Sequence, residues 1–321
     1  MIITRSPFRI SLGGGGTDLP SYYTQYGGSL ITGAIDKYMY ISVNRPKIEK
    51  FIKLKYSRSE KVEKVADIKH ELAREALKLT GIDSCIEISS IADLPSQTGL
   101  GSSGTYTVAL LKALHTLKKE VISAERLADE ACHIEMDILK KPVGKQDQYI
   151  ASFGGIIQLE IAKDGKVKVK PLNLPLETIK RLENDILIFY THIKRKSEEI
   201  LKEKGKKTDT LREIWQIGDA SRIALKSGNI ELFGELLNRH WQIKKKLSGK
   251  ISSSKIDYWY KLAKKSGAIG GKIMGAGGGG FFMFCCPGEK RKLRETMDRE
   301  GLKELEWRFD FEGTKILANF I

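Results

Sequence analysis

The sequence predicts a mixed α and β protein of two units, and three observations carry that expectation. Short β-branched or apolar runs alternate with apolar-periodic stretches through the first half. Helical patterns then dominate beyond a proline-containing boundary at residues 172–185. Finally, 321 residues with 41% apolar and 30% charged content suffice for two globular cores and do not describe a disordered chain.

Residues Ile2 to Leu12 alternate as a strand with Arg9 near its end, and run into Gly13-Gly14-Gly15-Gly16-Thr17-Asp18. Consecutive glycines cost backbone entropy, so a shaped turn that admits close approach is expected there. Asp18 stands at its mouth, placed to accept hydrogen bonds from sugar hydroxyls; an Asx-turn is the competing reading. Gly28 to Val43 and Phe51 to Ser57 read as further strands, and Ile68 to Leu79 as an amphipathic helix ended by Gly81.

The chain is organised around Pro95 to Gly104, which lies between the strand Ile86–Ile91 and the helical run Thr105–Leu117. Glycines followed by a helix N-terminus suit a phosphate, and Ser102 and Ser103 add hydroxyls where a nucleotide-bound Mg²⁺ needs an oxygen. The spacing Gly99-x-Gly101-x-x-Gly104 formally matches the dinucleotide fingerprint. However, Ala92 to Thr98 separate strand from glycines, and no second strand ends in the required acid. No Lys-Ser/Thr follows, and no His-Arg-Asp or Asp-Phe-Gly occurs, so P-loop and protein-kinase signatures are absent.

Next comes a helix opened by Ser123, with Leu127, Ala131, Ile134 and Ile138 on its inner face and Glu135 beside that stripe. Pro142 and Gly144 stop it, Lys145-Gln146-Asp147-Gln148-Tyr149 follows, and a hairpin around Asp164-Gly165 joins Ile156–Ile161 to Val167–Val169. After the strand Ile186–Tyr190, helices are expected over Thr208–Lys226, Ile230–Leu247 and Ser254–Ser266. The glycine stretch 270–280 leads into an apolar strand, Phe281–Cys286; a helix (Glu289–Glu300) and two strands (Leu305–Phe309, Thr314–Leu317) follow.

The net charge of +15 calls for an anionic partner. Its lysines form solvated helix faces with no RNA-binding aromatic motif, so a phosphorylated small molecule is favoured over nucleic acid. There is neither a signal-peptide pattern nor a membrane-length apolar run, and Cys85, Cys132, Cys285 and Cys286 show no C-x-x-C spacing. A cytoplasmic protein, monomeric or homodimeric and without a membrane partner, is expected.

The three glycine loops, in order, resemble the motifs of the GHMP small-molecule kinases. Ser6 to Asp18 resembles the first, Pro95 to Gly104 the phosphate-binding second and Lys272 to Phe282 the third. Within that superfamily the Gly-Gly-Gly-Gly-Thr-Asp form of the first motif, Gly144 to Gln148, and Tyr190 to Ser197 look most like the D-glycero-D-manno-heptose 7-phosphate kinases. His192 departs from the glycine usual there. The resemblance implies an α+β GHMP kinase fold: residues 1–180 like ribosomal protein S5 domain 2, and residues 181–321 ferredoxin-like. It implies a sugar kinase using ATP and Mg²⁺ to phosphorylate an anomeric hydroxyl of the heptose 7-phosphate, giving the 1,7-bisphosphate. Another anomeric sugar kinase, such as one for L-fucose, or a non-catalytic sensor of nucleotides or sugar phosphates, is the alternative.

Carried over residue by residue, Gln97, Thr98, Gly99, Leu100, Gly101, Ser102, Ser103 and Gly104 would bind ATP, with Ser103 and Glu135 as metal ligands. Asp147 would take or orient the proton of the acceptor hydroxyl, with Arg9 and Lys145 as neighbouring cations. Gly15, Gly16, Thr17, Asp18, Asp147, Arg195, Gly277 and Gly278 would meet the substrate.

Overall fold

A computed structural model describes residues 1–194, 200 and 207–320 of the chain. Among these residues the expected α+β class is realised as two sheets with helices packed on them.

The first sheet is built on two long strands. β1 (Ile2–Gly13) and β2 (Gly28–Asn44) pair antiparallel along nearly their whole length. At 17 residues, β2 is long enough to take two partners on its other side, β5 (Ile86–Ala92) and β6 (Ile156–Ile161). β3 (Ile52–Lys55) lies parallel to β5 and antiparallel to β4 (Ser59–Val62), while β7 (Val167–Pro171) completes the expected hairpin with β6. The last strand, β12 (Lys315–Asn319), returns to pair with β1. The proposed division at residue 180 therefore has one exception in space: β12 belongs with the first unit.

The second sheet, in the order β11 (Lys303–Leu305), β8 (Ile186–Tyr190), β10 (Phe281–Cys285), β9 (Gly270–Ile273), is antiparallel throughout. Its strand alternation divides two cores. Ile186, Ile188, Phe281, Met283 and Cys285 face a core continuous with that of the first sheet. Leu187, Phe189, Phe282 and Phe284 face a second core with Trp241 and Trp259. Apolar side chains on both faces explain why these strands read as unbroken apolar runs.

The described helices are α1 (Pro20–Tyr26), α2 (Glu71–Thr80), α3 (Ser102–Leu117), α4 (Ala124–Cys132), α5 (Gln146–Phe153), α6 (Leu176–Asp185), α7 (Thr208–Lys226), α8 (Ile230–Lys245), α9 (Ser254–Lys265) and α10 (Arg291–Arg299). α3 is buried nearly all round because β1 and β2 cover one side and α2, α4 and α5 the other. Neither α1 nor α6 was expected. The helix read from Ser123 through Ile138 divides: α4 ends at Cys132 and His133–Ile138 winds as a π-helix. The strand expected to reach Phe309 stops at Leu305; Phe309 makes only an isolated bridge to Ile35 and lays its ring on Gly33.

No helix among the described residues is long and apolar enough to cross a membrane. All four cysteines are free, and Cys285 and Cys286 are fully buried, as their apolar strand implied.

Candidate active site

A cleft opens where the two units meet. Arg9, Asp18, Ser102, Ser103 and Asp147 line it from the first, and His240, Lys244, Lys272, Gly275 and Ala276 from the second.

The central loop forms its floor. Gly101 caps α3 in the left-handed region at φ +92°, so the helix begins at Ser102, three residues earlier than the sequence indicated. The first-turn amides of α3 have no helical acceptor and carry the positive end of the helix dipole. Gln97, Gly99, Gly101, Ser102 and Ser103 line the cleft. Thr98 and Leu100 do not: Thr98 is buried and donates its hydroxyl to Pro95 O, and Leu100 is buried in the core. Their side chains shape the loop from beneath.

Asp147 sits on this loop. Its Oδ1 accepts from Arg9 Nε at 2.7 Å, while Arg9 Nη1 donates to Gly99 O at 2.6 Å. Arg9 thereby ties β1, the loop and the first turn of α5 together with charge-assisted bonds. A Cβ at Gly101 would lie 3.1 Å from Asp147 Cγ, and one at Gly104 would lie 2.8 Å from Asp147 Cβ. These two glycines leave room for the aspartate. Asp147 lies inside the first turn of α5, after Lys145 at the N-cap.

Lys145 is a correction. Its ammonium donates to Gly165 O at 2.6 Å and lies over the Tyr23 ring, so it clamps the β6–β7 hairpin and does not line the cleft. Two residues along a chain entering a helix are enough to point side chains apart.

The first glycine motif divides its work. Gly15 and Gly16 line the cleft, but Gly13 and Gly14 press against Gly218 of α7, where a Cβ would come within 2.7 Å of Gly14 N. Thr17 is also a correction: fully buried, it donates its hydroxyl to Gly14 O and Ser29 O and holds the turn in shape. Asp18 lines the cleft, its carboxylate accepting from Gly16 N–H and Gln146 N–H at 3.1 Å each. Burial raises its pKa, and the Asp147 charge adds to this, against the lowering effect of those two amides. Gly144 is glycine because a Cβ there would stand 2.0 Å from Asp18 Oδ2.

Glu135 is completely buried behind Ser103. The π-helix turns it inward with Ile134, where a regular helix would have left it at the edge of the apolar stripe. Gln148 Nε2 donates to its Oε1 at 2.8 Å, while its Oε2 has no hydrogen-bond partner among the described residues. Burial pushes its pKa up to about 7, although the nearby Ser103 hydroxyl and Gln148 amide favour the charged form. The Ser103 hydroxyl does not complete a bond to Oε2. An orphaned carboxylate oxygen beside a hydroxyl fits a divalent cation such as Mg²⁺, which takes one or two protein oxygens and completes its shell with phosphates and water.

In the third motif, Gly275 and Ala276, not Gly277 and Gly278, line the cleft. Gly277 packs on Ile251, and Gly278 N–H donates to Ile251 O, which corrects their expected substrate contact. Gly280 meets the phosphate loop itself: a Cβ there would lie 2.0 Å from Thr98 O. Arg195 lies outside the described residues. His192, exposed, sits at φ +57° with its ring on Tyr190, which is the backbone region where a glycine is at ease.

Two basic residues, His240 and Lys244, escaped the sequence reading, and Lys272 entered it only as the start of the third motif. Lys244 Nζ donates to Ile273 O and Gly275 O at 2.7 and 2.8 Å and holds the third loop, while Lys272 Nζ lies 3.4 Å from His240 Nδ1. The i, i+4 spacing of His240 and Lys244 was available, but a lysine-rich helix hides it.

Comparison with known proteins places the chain in a family. The family model of the GHMP kinases N terminal domain matches residues 60–155, and that of the GHMP kinases C terminal matches residues 221–303. A D-glycero-alpha-D-manno-heptose 7-phosphate kinase of Campylobacter jejuni is 29% identical over 98% of this chain and 98% of its own. A galactokinase of Pyrococcus furiosus is 27% identical over 96% of this chain and 95% of its own. In fold, the crystal structure of a D-glycero-D-manno-heptose 1-phosphate kinase from Bacteroides thetaiotaomicron superposes with a TM-score of 0.84 at 22% identity, covering 100% of both chains. With both halves matched in order and a cleft formed where they meet, the chain belongs to the GHMP kinase family and is a kinase acting on an alcohol group.

Proposed function

We propose that this kinase transfers the γ-phosphoryl group of ATP to the anomeric hydroxyl of D-glycero-D-manno-heptose 7-phosphate, giving the 1,7-bisphosphate. The observation that carries the reading is Asp147, held by Arg9 and seated on the glycines of the phosphate loop. An acceptor oxygen beside Asp147 would face a phosphoryl group cradled by the N-terminus of α3, the in-line arrangement that phosphoryl transfer requires. Asp147 Oδ2 would accept the hydroxyl proton, and Arg9 would fix the carboxylate's orientation and offset charge gathering on the transferring group. Ser103 and Glu135 would hold Mg²⁺, which supplies neutralisation of the triphosphate charge. Asp18, accepting from sugar hydroxyls, would set the ring. Gly280, resting on Thr98, would bring the second unit over the triphosphate and exclude water that would otherwise hydrolyse ATP.

The heptose phosphate is favoured by the Campylobacter relative and by the basic groups of His240, Lys244 and Lys272 in the cleft wall. A neutral sugar is the second reading, favoured by the galactokinase relative. ADP release with Mg-ATP across heptose 7-phosphate, mannose 6-phosphate, L-fucose, mannose and no sugar separates them. Turnover confined to heptose 7-phosphate, falling roughly 10²–10⁴-fold in Asp147→Asn with ATP binding retained, is the expected result. Turnover of a neutral sugar moves the assignment to the second reading. Silence on every sugar by a protein that still binds ATP refutes both.

A further inference from the structure

Gln146 is a cleft residue whose chemistry the reaction above leaves unused. It is 6% exposed yet lines the cleft, between Asp18 and Asp147. Its backbone N–H is engaged by Asp18 Oδ2, but its carboxamide Nε2 is buried with no hydrogen-bond partner among the described residues. Proteins seldom leave a buried amide donor unpaired, because its lost hydration is not replaced. Leucine would fill the same volume without that cost. A polar end at such a position makes sense if a ligand brings the missing acceptor.

The neighbours narrow what that acceptor is. Asp18 and Asp147 flank Gln146, so an anionic phosphate there would be repelled by two carboxylates, whereas a neutral hydroxyl oxygen would not be. Gly15 closes the other side, where a Cβ would lie 3.9 Å from Gln146 Oε1, so the carboxamide is bordered by bare backbone. The terminal torsion of glutamine is soft and roughly two-fold, so either end of the amide can turn to the cleft.

We propose that Gln146 is a specificity residue for the acceptor: its carboxamide donates to a hydroxyl oxygen adjacent to the hydroxyl that hydrogen-bonds Asp18. The pair thus selects an acceptor with neighbouring hydroxyls, reading one by donation and the other by acceptance. This rests on the sugar-kinase reading and adds to it a role for a residue that the Gly144 to Gln148 resemblance left without one.

The test uses the full chain and its best acceptor, with Gln146→Leu and Gln146→Met beside the parent and a series of monodeoxy analogues of that acceptor. Melting temperature and Mg-ATP binding first establish that each variant is folded. The expected result is a roughly 10–100-fold rise in acceptor KM in Gln146→Leu with the ATP KM unchanged. One monodeoxy analogue should lose its penalty in that variant, because enzyme and analogue then lack the two ends of one bond. An unchanged acceptor KM in both folded variants, or an equal penalty for every analogue in parent and variant, overturns the inference. If Gln146→Leu does not fold, Gln146→Met decides, since a thioether of similar length cannot donate and should raise acceptor KM likewise. The parent's own activity tests the sugar reading separately: a parent that turns over no sugar refutes that reading and this inference together. A parent active on a sugar other than the heptose phosphate leaves the comparison of variants intact on that sugar.

Discussion

Glu135 shows how a single residue can be costly to the fold and suited to function. A carboxylate with no exposure, one oxygen of which has no partner among the described residues, is destabilising in the absence of a cation, and burial raises its pKa to about 7. Glu135→Gln keeps the shape and removes the charge. It should raise the melting temperature of the metal-free protein by roughly 2–4 °C, equivalent to about 1 kcal/mol. The same change should lower Mg²⁺-dependent turnover roughly 10²–10³-fold. Calorimetry and steady-state kinetics on one preparation measure both, and a melting temperature that falls would show that Glu135 stabilises the apo protein. At this scale the residue types were legible: Arg9, Asp18, Ser103, Glu135 and Asp147 all gather at or directly behind one cleft. Directions were not. Lys145 and Thr17 sit in the right motifs and face away, because a side chain's heading depends on the turn it enters and not on its distance along the chain.

Among the elements, the junction of α3 and α4 carries a histidine clasp. His115, buried near the end of α3, places Nδ1 2.7 Å from Glu120 and Nε2 2.6 Å from Glu130. The Glu130 contact raises its pKa most, with Glu120 adding to it and burial opposing, while both glutamates are lowered on balance. A histidine raised on folding stabilises fully below its unfolded pKa of about 6.5 and loses that contribution as pH rises through the folded value. The lowered glutamates contribute above an unfolded value of about 4.3 and lose it as pH falls through their folded values. The clasp is therefore strongest between about pH 4.3 and 6.5. The melting-temperature gap between parent and His115→Gln should be widest in that window and narrow toward pH 9. A gap independent of pH would refute the ionic account. Glycines also act as elements here: Gly13 and Gly14 meet Gly218, and Gly280 meets Thr98, so they bring backbones together across the two units. Sequence reading marked the runs but could not divide them, since a glycine against a ligand and a glycine against another backbone look alike.

For the whole molecule, the two units are not independent. β12 from the end of the chain pairs with β1, Phe309 rests on Gly33, and one core passes from the first sheet into β8 and β10. The full chain should therefore unfold in a single calorimetric transition. A fragment of residues 1–180, with the β1 edge unpaired and part of its core uncovered, should show none. A cooperative transition in that fragment would establish the division at residue 180 as a folding boundary.

What the sequence by itself determined is the mixed α and β class, most of the strands and helices, and the positions of the three glycine loops. These depend on periodicity and local backbone freedom, which are properties of short stretches. Only the tertiary structure decided which side chains share the cleft. It turned Glu135 inward through a π-helix, drew His240, Lys244 and Lys272 from a distant unit, and left Gln146 with an amide that its neighbours do not satisfy. The reason is physical: burial, hydrogen-bond pairing and close backbone approach depend on contacts between residues far apart in the chain, and no local pattern encodes them.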